Sequence, residues 1–169
     1  MALLRRQPTL PDDVRARLEL RSGDHVLAAA ELTDGWAVAT AQRLHLLRTE
    51  GDPVARAWSE VSGARMDPAT AVLTLSWVDG APPAALGLVD DRSRLFPDTV
   101  RQCIDSSILL SERVPLLAGR HVRVALRRDP DGHLLTQVVG TPDVDLADPA
   151  VAAAVDAAEA RLREAAGLR

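Results

Sequence analysis

Residues 23–66, GDHVLAAAELTDGWAVATAQRLHLLRTEGDPVARAWSEVSGARM, decide the fold. Val26 to Leu32 is a run of small apolar residues closed by Thr33-Asp34-Gly35. That tripeptide signals a turn, because Asp bonds its own backbone and Gly takes positive φ freely. From Trp36 to Ala41 the chain alternates, with Trp36, Val38 and Thr40 on one face and Ala37, Ala39 and Ala41 on the other. Arg43 to Thr49 follows, Leu44, Leu46 and Arg48 sharing one face and His45 and Leu47 the other. Glu50-Gly51-Asp52-Pro53 breaks the ladder, since Pro has no amide hydrogen to donate. The fourth run, Val54 to Met66, carries Trp58 and Val61 and ends at Asp67-Pro68. Four short strands joined by tight turns make an antiparallel meander.

The pattern within this meander resembles the bacterial, actinobacterial-type pleckstrin-homology-like or GRAM-like domains. Gly23 and Asp24 precede a strand with Val26 and Leu27; Ala39 and Thr40 end the second strand; Arg43, Leu44 and Leu46 open the third; Trp58 and Val61 mark the fourth. The likeness covers roughly residues 20–115. It implies a bent antiparallel barrel capped by an amphipathic α-helix, and hence an α+β protein. Some pleckstrin-homology domains hold phosphoinositides with basic residues around the first strand-to-strand turn. Here that turn is Thr33-Asp34-Gly35 with Glu31 before it, and an acidic turn repels a polyphosphate.

The rest of the chain is read outward from the meander. An opening arm expected to be mobile leads to a short helix over Pro11–Leu20, with Asp12 and Asp13 at the positive end of its dipole and Val14 and Leu18 on one side. Beyond Met66, Ala71–Val78 alternates, with Leu73, Leu75 and Trp77 as the core face. Asp79-Gly80-Ala81-Pro82-Pro83 turns the chain into Ala84–Val89, where Gly87 suggests a corner. Phe96-Pro97-Asp98 opens the main helix; Val100, Cys103, Ile104, Ser107, Ile108 and Ser111 follow helical spacing, and Pro115 stops it. Arg120–Arg128 and His133–Gly140 form a hairpin around Asp129-Pro130-Asp131-Gly132, with Gly132 in the left-handed position. After an acidic loop, Thr141–Ala147, Asp148 caps a helix with Pro149 first, an apolar stripe of Val151, Val155, Ala158, Leu162 and Ala165, and Gly167 near its end. The expected organisation is an arm with a short helix over 1–22, a barrel with its capping helix over 23–117, and a hairpin-helix extension packed on the barrel over 118–169.

Composition narrows the function classes. The 169 residues are 47% hydrophobic and 26% charged, the balance of an ordinary globule, but only 2% aromatic. The core therefore rests on Leu, Val and Ala, with three Trp residues as its largest pieces. All 20 basic residues are arginine, which points to a GC-rich genome. A net charge of -4 argues against general affinity for nucleic acid or anionic membrane. One cysteine, Cys103, makes no internal disulfide and reads as a small buried hydrophobe. The start, MALLRRQPTLPDD, has no long apolar region after its arginines, and no apolar run approaches the ~20 residues of a membrane span. A cytoplasmic protein is expected.

Chemistry-bearing constellations are sparse. His25, His45, His121 and His133 show no i, i+4 histidine pairing and no Cys or carboxylate at ligand spacing, so no metal site is expected. Asp143, Asp145 and Asp148 resemble the start of a calcium loop, but its glycine and bidentate Glu are missing. Ser106, Ser107 and Ser111 lack a nucleophile elbow, and the pairs Asp12-Asp13 and Asp90-Asp91 fall in turns or helix starts. No phosphate-cradling glycine loop is present, and no catalytic residue or cofactor is expected. Arg120, Arg123, Arg127 and Arg128 gather on the first hairpin strand as candidate contacts for an anionic partner; the competing reading is a solvated edge strand protected by charge.

The function expected from these readings is a non-catalytic protein-interaction or scaffold module. Its partner is another protein, with a homodimer as one form, held in a groove beside the main helix or as an added strand. Nucleic acid and stable membrane association are not expected. The alternative is a peripheral membrane or anionic-ligand binder working through the hairpin arginines. A third reading is an enzyme whose site the sequence does not display.

Overall fold

A computed structural model of the chain describes residues 10–140 and 144–168. It is α+β, and the chain divides into two compact units between Asp105 and Ser106. The opening arm through Thr9 and the calcium-loop candidate Asp143 lie outside the described residues.

In the first unit, helix α1 (Asp12–Ala16) is shorter than its sequence pattern and precedes strands β1 (Val26–Leu32), β2 (Gly35–Thr40), β3 (Arg43–Arg48) and β4 (Val54–Ala57). These four form an antiparallel sheet in chain order. The β1–β2 turn depends on Gly35, whose φ of 146° suits glycine and where a Cβ would lie 2.2 Å from the Leu47 carbonyl oxygen. The fourth run of the meander is not one strand. A 3-10 turn at Trp58–Glu60, fastened by Ala57 N–H donating to Glu60 Oε2 at 2.7 Å, separates β4 from β5 (Val61–Asp67). Strands β5, β6 (Val72–Trp77) and β7 (Ala84–Gly87) make a second antiparallel sheet.

The two sheets and helix α2 (Leu95–Ser107) share one apolar core. Ala37, Ala39, Leu44 and Leu46 come from the first sheet, Leu73, Leu75 and Leu86 from the second, and Phe96, Val100, Cys103 and Ile104 from α2. Small alanines facing large leucines let the layers interdigitate with few aromatic rings. On the other face of the first sheet, Leu10 and Val14 cover Ala29, Val38 and Leu47 in a smaller cluster. The barrel expected from the resemblance is not closed. Beside β1, the end of the second sheet meets the first at the Leu32–Leu88 bridge, with Thr33 N–H bonded to Gly87 O at 2.9 Å and Val89 N–H to Glu31 O at 3.0 Å. Gly87 thus ends a strand where the chain changes partner.

The largest departure from the sequence reading falls at Ser107. The helix expected to run to Pro115 stops there, and Ile108–Pro115 is strand β8. Ile108 and Ser111 therefore do not continue the α2 face. The eight residues alternate between more and less exposed sides, a period-2 pattern that pairs with β9 (His121–Arg128). A long ladder with β9 outweighs the local helical spacing, as tertiary pairing commonly overrides propensity.

In the second unit, β8, β9 and β10 (Leu134–Gly140) form an antiparallel sheet with β9 in the centre. The hairpin at Asp129–Gly132 is as expected, with Gly132 at a φ of 87°. Helix α3 (Pro149–Ala165) begins with Asp148 accepting from Ala150 N–H at 2.8 Å and packs Ala158 and Leu162 on Val114, Val122 and Val124. Arg161 pairs with Glu112 across that interface. Among the described residues no helix is long and apolar enough to cross a membrane.

Candidate functional site

The residues that carry the family resemblance are structural. Asp24 accepts from the Thr40 hydroxyl at 2.8 Å and from the backbone N–H groups of His25 and Gln42 at 3.0 and 3.1 Å. The same hydroxyl accepts from Arg43 N–H at 2.9 Å, and the Trp58 indole N–H donates to Thr40 O at 3.0 Å. Asp24, Thr40, Arg43 and Trp58 thus form a polar clasp that ties the start of β1 to the β2–β3 turn. Buried His45 stands on β3 nearby. Burial chiefly, with the Arg43 charge, lowers its pKa below the ordinary 6.5 against an opposing pull from Asp24. Its Nε2 is buried without a hydrogen-bond partner, which suits a neutral ring.

Of the four candidate arginines, β9 separates one from the rest. Arg127 is only 3% exposed; its Nε and Nη2 donate to Ser107 Oγ at 3.1 and 2.6 Å, and its Nη1 donates to Gln137 Oε1 at 2.9 Å. It is a structural tie. A Ser107 hydroxyl facing a guanidinium has beside it a group that cannot accept a proton, so this pair is not a nucleophile and its base. Arg128 is exposed at the end of β9 on the alternate side, and exposed Arg120 lies in the preceding turn, its Nε donating to Leu117 O at 3.4 Å. Arg123 is exposed on β9.

Arg123 has a neighbour that the sequence reading did not supply. The β8–β9 register places Arg113 directly opposite it, and Arg113 is also exposed. Arg113 Nη2 donates to His121 Nδ1 at 3.2 Å, leaving the ring hydrogen of a neutral His121 on Nε2. Registers with β8 and β10 put Ser111, Arg113, His121, Arg123, Gln137 and Val139 on one side of the sheet. No Asp or Glu is among the strand residues of that side, whereas Glu112 points to α3 and Arg161. Two arginines face to face raise the local potential and disfavour folding modestly, a cost that an incoming anion relieves. The pairing was hidden because residues 108–115 carry helical spacing as well as strand alternation.

The second hairpin end corrects the histidine reading. The turn brings ligand atoms of Asp129, Asp131 and His133 within 4.8 Å of one another, so His133 does have carboxylates nearby. The Asp129 carboxylate and His133 ring already serve the turn. Asp129 Oδ1 accepts from Asp131 and His133 N–H at 2.9 and 2.8 Å, and Oδ2 lies 3.0 Å from His133 Nδ1. Burial raises the Asp129 pKa, but these bonds outweigh it and hold the carboxyl below its usual range. Asp129 and His133 latch the turn.

The first unit also contains a cleft of about 220 Å³ between β1 and the start of α2, lined by Ala29, Ala30, Glu31, Trp36, Asp90 and Phe96 among others. It lies where β1 and the chain after Val89 part, beside the main helix. Comparison of the chain with family models, with curated proteins and with solved structures gave no match.

Proposed function

We propose that the chain is a non-catalytic interaction module whose first unit follows the pleckstrin-homology-like plan and whose second unit binds an acidic segment of a protein partner. A meander of four strands, a second sheet of three and a helix sharing their core support the family likeness. The observation that carries the binding function is the Arg113–Arg123 pair on a sheet side whose strand positions hold no carboxylate, in a chain of net charge -4. Guanidinium forks recognise carboxylates in two-point contacts, and a glutamate-rich segment offers several. Arg123 remains from the candidate set, Arg113 replaces buried Arg127, and Arg120 borders the surface.

The test is fluorescence anisotropy of a labelled glutamate-rich peptide titrated with wild-type protein, an Arg113→Gln/Arg123→Gln variant and, as a control on α3, Arg163→Gln. Binding is expected to weaken with salt and by about tenfold in the double variant, and to persist in the control. Equal binding by the double variant refutes the assignment. Preference for phosphatidylserine vesicles or duplex DNA over the peptide transfers the surface to a membrane or nucleic-acid partner.

A further inference from the structure

From the cleft of the first unit, we infer a second binding site: it takes the arginine side chain of a polypeptide partner, held between Trp36 and the carboxylates of Glu31 and Asp90. This inference concerns a surface separate from the arginine pair and stands whether or not that pair binds an acidic segment.

Local sequence makes the cleft. The β1 residues Ala29 and Ala30 put methyl groups where longer side chains would fill the space, and Glu31 follows directly. Register places Glu31 opposite Trp36 across the β1–β2 ladder, so carboxylate and indole stand side by side. Across the cleft, Asp90 begins the loop to α2; its Oδ1 accepts from Arg92 and Ser93 N–H at 3.1 and 3.2 Å, which fixes the carboxylate and leaves Oδ2 for a ligand. Glu31 makes no ion pair or side-chain hydrogen bond with any described residue. Phe96 and Leu88 add apolar lining.

The chemistry of this lining already operates elsewhere in the protein with its cation present. Arg56 lies 5.1 Å from the centroid of the Trp77 ring while its Nη1 contacts Asp79 at 2.8 Å and Glu60 at 3.3 Å. One indole and two carboxylates there hold one guanidinium. Trp36, Glu31 and Asp90 repeat that set around an open cleft with no arginine of their own. A ring face attracts a cation, two carboxylates supply its counter-charge, and the aliphatic stem of an arginine suits an apolar wall. At about 220 Å³ the cleft is smaller than the ~300–1,000 Å³ of sites for drug-sized ligands, which fits one side chain rather than a cofactor.

The experiment is NMR titration of the full chain, labelled with ¹⁵N, using N-acetyl-arginine amide, its neutral citrulline analogue and choline. Saturable, salt-sensitive shifts at Ala29, Ala30, Glu31 and Ser93 are expected with the arginine probe and not with citrulline. Glu31→Gln/Asp90→Asn, a variant that keeps side-chain volume and the Asp90 turn acceptor, is expected to weaken binding about tenfold. No shift with the arginine probe, equal shifts with citrulline, or unchanged affinity in the variant overturns the inference. Tighter binding of choline than of arginine overturns the polypeptide assignment in favour of a free organic cation. The arginine-face variant Arg113→Gln/Arg123→Gln retains the cleft response, so failure of one site is distinguishable from failure of the other.

Discussion

Replacing Thr40 with Val isolates the energetic weight of the clasp that joins β1 to the β2–β3 turn. Thr40 is fully buried; its hydroxyl donates to Asp24 Oδ2 at 2.8 Å and accepts from Arg43 N–H at 2.9 Å. Valine keeps the shape and removes both bonds. A hydrogen bond to a charged acceptor contributes about 1.5–3 kcal/mol and an orphaned buried N–H costs about 1–3 kcal/mol, while solvent partly compensates the Asp24 carboxylate, so about 3 kcal/mol is expected. With a urea m-value of about 2 kcal/mol/M, that lowers the unfolding midpoint by about 1.5 M. Thr40→Ser keeps the hydroxyl and loses one methyl group, a change of about 1 kcal/mol. The assay is urea unfolding followed by tryptophan fluorescence at pH 7. Trp36, Trp58 and Trp77 all belong to the first unit, so the signal reports that unit alone. A Thr40→Val midpoint within about 0.5 M of wild type, or a Thr40→Ser variant less stable than Thr40→Val, refutes the clasp as a stabilising network.

Three further outcomes follow from the same geometry. His45 has its folded pKa lowered, chiefly by burial, so the unfolded chain takes up the proton first; the stability of the first unit is full above about pH 6.5 and falls as pH drops through the lowered folded value, and His45→Gln flattens that slope in urea titrations across pH. Burial pushes the Cys103 thiol up to about 11, so at pH 8 iodoacetamide alkylates it only as fast as the first unit opens, and rapid alkylation of folded protein contradicts its place in the core. Arg127→Met removes the contacts to Ser107 and Gln137 and destabilises the second unit by about 2–3 kcal/mol, whereas exposed Arg123→Gln changes it by less than about 0.5 kcal/mol; hydrogen exchange of β9 amides distinguishes the two, and equal protection in both variants refutes the structural role of Arg127.

Elements set by near neighbours were legible in the chain itself. Thr33-Asp34-Gly35 announces its turn through the φ that Gly35 adopts, and Asp129-Pro130-Asp131-Gly132 through Gly132 and the Asp129 acceptor within the turn, while the Asp34 carboxylate pairs with Arg48 instead of its own backbone. Asp148-Pro149 announces α3, since a cap and its N–H partner are two residues apart. The alternation of β6 likewise appears in the sequence, its Leu73 and Leu75 being buried on one face, whereas β2 and β3 are buried on both faces. These are local energies, of order 1 kcal/mol each, that need no distant partner.

What tertiary structure decided has the opposite character. Residues 108–115 satisfy two periodicities, and only the ladder offered by β9 makes them a strand. Arg123 and Arg127 look equivalent on one strand face, yet Ser107 and Gln137 draw Arg127 out of solvent while Arg113, ten residues earlier in the chain, comes to stand beside Arg123. The cleft likewise joins Glu31 and Trp36 to Asp90 and Phe96, which lie more than fifty residues further on. By itself the sequence determined turns, caps, strand periods and the apolar composition of the core, because those depend on spacing along the chain. The tertiary structure alone decided which charges are buried, which stand together and where a cavity opens, because electrostatics and burial depend on distance in space.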